Sequence, residues 1–101
     1  MRRISNLAFN RDFPSSSGLS GIPARNTVRL ARDLDNPFDA EAVGVWLEGH
    51  PEAPLGWLYR RDDNRDAVLQ KLDAGGDVTG HIEQRTRRKG DKPRKVVVFW
   101  L

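Results

Sequence analysis

The chain has 101 residues, enough for one hydrophobic core and too few for a second domain. Its content is 38% hydrophobic and 31% charged, which excludes a disordered composition, and three Trp, four Phe and one Tyr can anchor a core. The absence of cysteine excludes disulfides, thiolate zinc sites and thiol catalysis, and the net charge of +3 hides an uneven distribution.

Residues 1–32 carry six Arg and one Asp, for +5. Residues 33–77 carry four basic and eleven acidic groups, for −7, and residues 78–101 carry seven basic and two acidic groups, for +5. Thirteen of the seventeen cations are Arg, whose planar fork matches phosphate and base edges better than an ammonium does. The bland alternative is a solvated surface of mixed charge. Met1-Arg2-Arg3 is followed by no apolar run, so no signal peptide is expected. No segment approaches membrane-spanning length, and a cytoplasmic protein is the expectation.

In chain order, Arg3 to Phe9 is short and mildly apolar, a first strand. Asn10 to Ile22, with Pro14, three successive serines, Gly18 and Gly21, reads as a loop. Asn26 to Ala31 alternates, with Val28 and Leu30 on one face and Thr27, Arg29 and Ala31 on the other, as a half-buried strand does. Asp35-Asn36-Pro37 is turn chemistry, because Asp and Asn bond to nearby backbone and Pro fixes φ. Ala42 to Leu47 is a continuous apolar run that fits a buried strand, and Leu55 to Tyr59 is another short strand. Asp62 or Asp63 is placed to cap a helix running to about Ala74, with Ala67, Val68, Leu69 and Leu72 as its apolar stripe and Gly75-Gly76 as its stop. Val78 to Gln84 and Lys95 to Leu101 are the last strands, joined by the basic loop Arg85 to Arg94. Trp46 and Trp100 are assigned to the core. Short strands, glycine and proline turns and one good helix predict a small barrel or an α+β sheet.

The most informative stretch is Asp35-Asn36-Pro37-Phe38-Asp39-Ala40-Glu41-Ala42-Val43, set between two strands. About a dozen residues later comes Leu55-Gly56-Trp57-Leu58-Tyr59-Arg60, then a helix ending in Leu72-Asp73-Ala74-Gly75. This ordered set resembles the HIRAN domain family, over residues 26–101. The resemblance implies a mainly β fold with α: a small OB-like (HIRAN-type) β-barrel of about six strands with one or two helices, spanning residues 1–101 as one domain. It implies a non-enzymatic DNA-binding module that recognises the 3′-hydroxyl end of single-stranded DNA, in the DNA-repair setting of stalled replication forks. The partners implied are single-stranded DNA or DNA 3′ ends, together with a helicase, a nuclease or a host protein, and no membrane. No cofactor and no metal are implied. By position, Phe38 matches the aromatic near the terminal nucleotide, Asp39 the acid that receives the hydroxyl, Trp57 the residue that helps form the pocket, and Arg60 the cation that holds phosphate. The loop-rich segment 1–25 departs from the family, since Arg2 to Asn10 offers Arg3 and Phe9 but no Gly-basic-aromatic run.

Each candidate also has a structural reading. Asn36, Pro37 and Asp39 are able simply to build a turn, with Asp39 capping the Ala40-Glu41-Ala42 segment through backbone N–H groups. Phe38 and Trp57 fit a core as well as a stacking platform. Arg60 and Arg61 lie by the helix N-terminus, itself favourable to anions, or else pair with Asp62 or Asp63 at the surface. Arg85, Arg87 and Arg88 form either a solvated hairpin tip or a contact to backbone phosphates. Catalytic signatures are missing: Pro37 interrupts Asp33, Asp35 and Asp39, and His50 and His81 are isolated. A protein-interaction module using the same barrel, such as a phage or mobile-element factor acting on a host protein, is the alternative function.

Overall fold

The computed structural model describes residues 1–13, 27–86 and 88–101. The loop expected over residues 10–22 therefore falls largely outside the described residues, as does Arg87. Among the described residues six strands and one helix follow in chain order: β1 (Arg2–Phe9), β2 (Thr27–Arg32), β3 (Val43–Leu47), β4 (Gly56–Leu58), α1 (Arg65–Asp73), β5 (Val78–Arg85) and β6 (Arg94–Trp100). The strands close into a small OB-like barrel in the order β1-β4-β3-β2-β5-β6, and every pairing is antiparallel.

Alternation decides what points inward. Val28 and Leu30 on β2, Val45 and Leu47 on β3, Val78 and Ile82 on β5, and Val97 and Phe99 on β6 fill the barrel. Fully burying each such side chain contributes about 1.5–3 kcal/mol, so these rows carry most of the stability. α1 packs on β2, β3 and β5 and adds Val68 and Leu69 to the same core. Phe13, just past β1, also packs against it and meets the His50 ring at 5.6 Å.

The same alternation corrects the placement of two tryptophans. Trp46 lies between the inward Val45 and Leu47, so it points outward and is only half-buried. Trp100 follows the fully buried Phe99 and is 46% exposed. Large aromatic side chains are core candidates by size, but strand period outranks size.

The helix start also differs from expectation. Asn64, not Asp62 or Asp63, occupies the N-cap, and its side chain makes no cap bond. It serves β1 instead, donating to the Ile4 carbonyl (3.1 Å) and Ser5 Oγ (2.9 Å) and accepting from Arg3 (3.3 Å). Asp62 shapes the turn before the helix by accepting from Asn64 N and from Ser5 Oγ, both at 2.8 Å. At the other end the glycine stop holds. Gly75 takes φ +85°, and the N–H groups of Gly75 and Gly76 reach the Leu72 and Lys71 carbonyls as a Schellman motif.

Candidate nucleic-acid interface

The β2–β3 connection is built by its own side chains. Asn36 Oδ1 accepts from the N–H groups of Phe38 (2.8 Å) and Asp39 (3.1 Å), which fixes a tight turn around Pro37. The Ala42 carbonyl accepts from Asp33 N at 2.9 Å and closes the loop base. The result turns Phe38 out of the fold, 86% exposed. Its core alternative is therefore not what the turn produces.

Asp39 follows Phe38, with its side chain 20% exposed. Its Oδ1 accepts from Glu41 N (3.0 Å) and from an Arg65 guanidinium NH2 (2.9 Å). The capping role is thus present, but it occupies one oxygen. Among the described residues, Oδ2 has only the long 3.4 Å contact from Arg60 Nε. Arg65 foremost, through its hydrogen bond, with the Glu41 N–H also contributing, holds the Asp39 carboxyl below the usual carboxylate range, against a partial desolvation. Asp39 is therefore a carboxylate at neutral pH, with one oxygen held and one nearly open.

Arg60 donates to the Phe38 carbonyl at 2.8 Å and is otherwise exposed. Its ion pair is with Asp39, and neither Arg60 nor Arg61 pairs with Asp62 or Asp63 among the described residues. Arg65 is the residue that sequence reasoning passed over. Its side chain is 7% exposed, and besides Asp39 it donates to the Glu41 carbonyl (3.0 Å) and the Arg60 carbonyl (3.3 Å). The signal was available: Arg65 stands at i, i+3, i+4 and i+7 with Val68, Leu69 and Leu72, on the apolar stripe of α1. Arg32 braces the loop from the other helix end, bonding Glu41 at 2.8 Å and Asp73 at 2.9 Å.

Phe38, Asp39, Glu41, Arg60, Arg65 and Asp66 bound one shallow depression. Trp57 does not line it. Its half-buried indole points outward from β4, between Ala8 and Gly44 in the register, and Nε1 donates to Asp33 Oδ2 at 2.8 Å. Trp57 thus supports the base of the loop that carries Phe38 and Asp39. Arg61 is exposed beside Arg60. Arg85 lines a different depression with Arg94, Asp62 and Asn64, and bonds Glu83 at 3.0 Å. Arg88 is exposed in the β5–β6 connection. Arg3, on β1, turns toward Asn64 and does not reach the Asp39 depression. Among the described residues no group of three His, Asp or Glu converges to hold a metal ion. No family model, curated protein or solved structure matches this chain.

Proposed function

We propose that this barrel is a HIRAN-type DNA-binding module, without catalytic activity, that receives the 3′-hydroxyl end of a single strand at Asp39. The observation that carries the reading is the Asp39 carboxylate: ionised, oriented through Oδ1, nearly unpartnered at Oδ2 among the described residues, and in one depression with the exposed Phe38. A 3′-hydroxyl donates to Oδ2, a bond to a charged acceptor and so among the stronger kind. A 3′-phosphate, or a continuing phosphodiester, brings negative charge to the same oxygen and is repelled. One carboxylate in this way separates an end from an interior. Phe38 stacks on the terminal base, and Arg60 and Arg61 reach the nearest phosphates.

Titration with labelled oligonucleotides that differ only at the 3′ end tests this. Wild type binds the hydroxyl end more tightly than the phosphate end. Asp39→Asn keeps an oxygen for Arg65 and Glu41 N but puts an N–H donor where Oδ2 was. It loses roughly ten- to a hundredfold for the hydroxyl end and much less for the phosphate end. Equal wild-type affinity for both ends refutes end reading. In that case a second reading leads, favoured by the exposed apolar side chains Leu34, Phe38 and Tyr59: a surface for docking a protein partner.

A further inference from the structure

The outward side of the barrel carries a row that the end-reading site does not use. Trp46 on β3 stands opposite Arg29 on β2, and Arg29 stands opposite Thr79 on β5. One step beyond the Gly80–Phe99 pair in the β5–β6 register lie Thr79 and Trp100, and Trp100 stands opposite Arg2 on β1. The surface therefore reads aromatic, cation, hydroxyl, aromatic, cation across five adjacent strands. At about 4.8 Å per strand, the two tryptophans lie about 14 Å apart along the surface, which leaves room for more than one nucleotide.

We propose that this row is a second DNA site, one that binds the interior of a single strand, with Trp46 and Trp100 stacking bases and Arg29 and Arg2 contacting phosphates. Trp100 is exposed, and its ring meets the His81 ring at 5.7 Å, which holds it against the sheet. Trp46, Arg29 and Thr79 line one groove of about 710 Å³. The Trp46 indole lies over Gly44, where a Cβ would come within 2.8 Å of Nε1. Unlike Trp57, Trp46 keeps its N–H buried over Gly44 with no acceptor among the described residues, so no hydrogen bond there is lost when a base stacks on the ring. Arg29 and Arg2 are exposed and have no carboxylate partner among the described residues, whereas Arg32, Arg60, Arg65 and Arg85 all do. No acid stands in the row; the acid in the groove, Glu48, lies at its edge beyond Thr27. Unpaired cations alternating with aromatic faces suit a polyanion whose every unit carries a ring.

A circular single-stranded oligonucleotide has no end for Asp39 to read and is the probe. Wild type binds the circle. Trp100→Ala and Trp46→Leu each weaken that binding roughly five- to a hundredfold. Arg29→Ala with Arg2→Ala flattens the slope of log affinity against log salt by about 1.4, at about 0.7 per phosphate contact on a single strand. The proposal is overturned if wild type fails to bind the circle. It is equally overturned if Trp100→Ala and Arg29→Ala, both at exposed positions and checked to melt as wild type does, bind the circle unchanged. A circle that binds beside equal affinities for the two linear 3′ ends removes the end reader and keeps the row.

Discussion

Replacing Arg65 by Met tests whether the candidate site is a rigid device or a surface loop. The substitution keeps the length and apolar stem of the side chain and deletes three donors at once. Left behind are the Glu41 carbonyl, the Arg60 carbonyl and Asp39 Oδ1, of which the last retains only Glu41 N. Hydrogen bonds to a charged group are each worth about 1.5–3 kcal/mol, but three bonds sharing one guanidinium do not add. Breaking a fully buried ion pair costs about 3–5 kcal/mol. Arg65 is buried but its partner is partly hydrated, which places the expected loss near the lower bound, about 3 kcal/mol. A domain of this length has only about 5–15 kcal/mol of stability, so the loss is a large fraction of the whole. At about 4–8 °C per kcal/mol, the melting temperature falls by about 12–24 °C. Urea titration followed by tryptophan fluorescence gives the same free energy independently, at an unchanged m-value. Arg65→Lys keeps the charge but not the fork, and lies between the two. A loss under about 0.5 kcal/mol for Arg65→Met, within the range of ordinary surface changes, refutes the reasoning: water would then be satisfying the loop as well as Arg65 does.

Three further outcomes follow from the geometry. Asp39, Asp73 and Glu83 each have a folded carboxyl held below its ordinary value, by Arg65, by Arg32, and by His81 then Arg85 respectively. Such groups stabilise the fold above their unfolded values of 3.8 to 4.5 and lose that contribution as pH falls below them, so melting temperature against pH is steep there, and Asp73→Asn shallows the fall. A Cβ at Gly80 would run into the Val98 carbonyl oxygen and crowd the Phe99 backbone, so Gly80→Ala costs at least about 1–3 kcal/mol in thermal or urea unfolding; a neutral effect would mean the β5–β6 pair can separate freely. Changing Arg85, Arg87 and Arg88 together to Ala weakens all single-stranded sequences alike and lowers the salt slope by about 0.7 per lost phosphate contact, and an unchanged slope marks the connection as solvated surface.

Much of the fold is legible locally. The strand edges implied by Val28/Leu30 and by the apolar runs hold to within a residue or two, and Gly75-Gly76 ends the helix as its chemistry requires. The Asn36-Pro37-Phe38-Asp39 turn is legible for the same reason: its bonds join residues two or three apart. Arg65 was hidden because a cation on an apolar stripe looks like an exception until its partners, 24 and 26 residues upstream, come into reach. The two tryptophans were misplaced because a continuous apolar run shows no alternation by itself, and only neighbouring strands reveal which side faces the core.

Local chemistry along the chain suffices for short strands and one helix, for the segregation of acids from cations, and for an aromatic-acid turn between two strands, whereas the exposure of Phe38 in that turn comes from the structure. Those properties depend on period, turn residues and charge, which are local. Packing between distant segments is what sets β1 between β4 and β6 to close the barrel, lets α1 brace the turn through Arg65, with Arg32 at its other end, and brings Trp46, Arg29, Thr79, Trp100 and Arg2 into one row. These juxtapositions join residues far apart in the chain. They are set by which strand neighbours which around the closed barrel, and register across a barrel is a property of all six strands together.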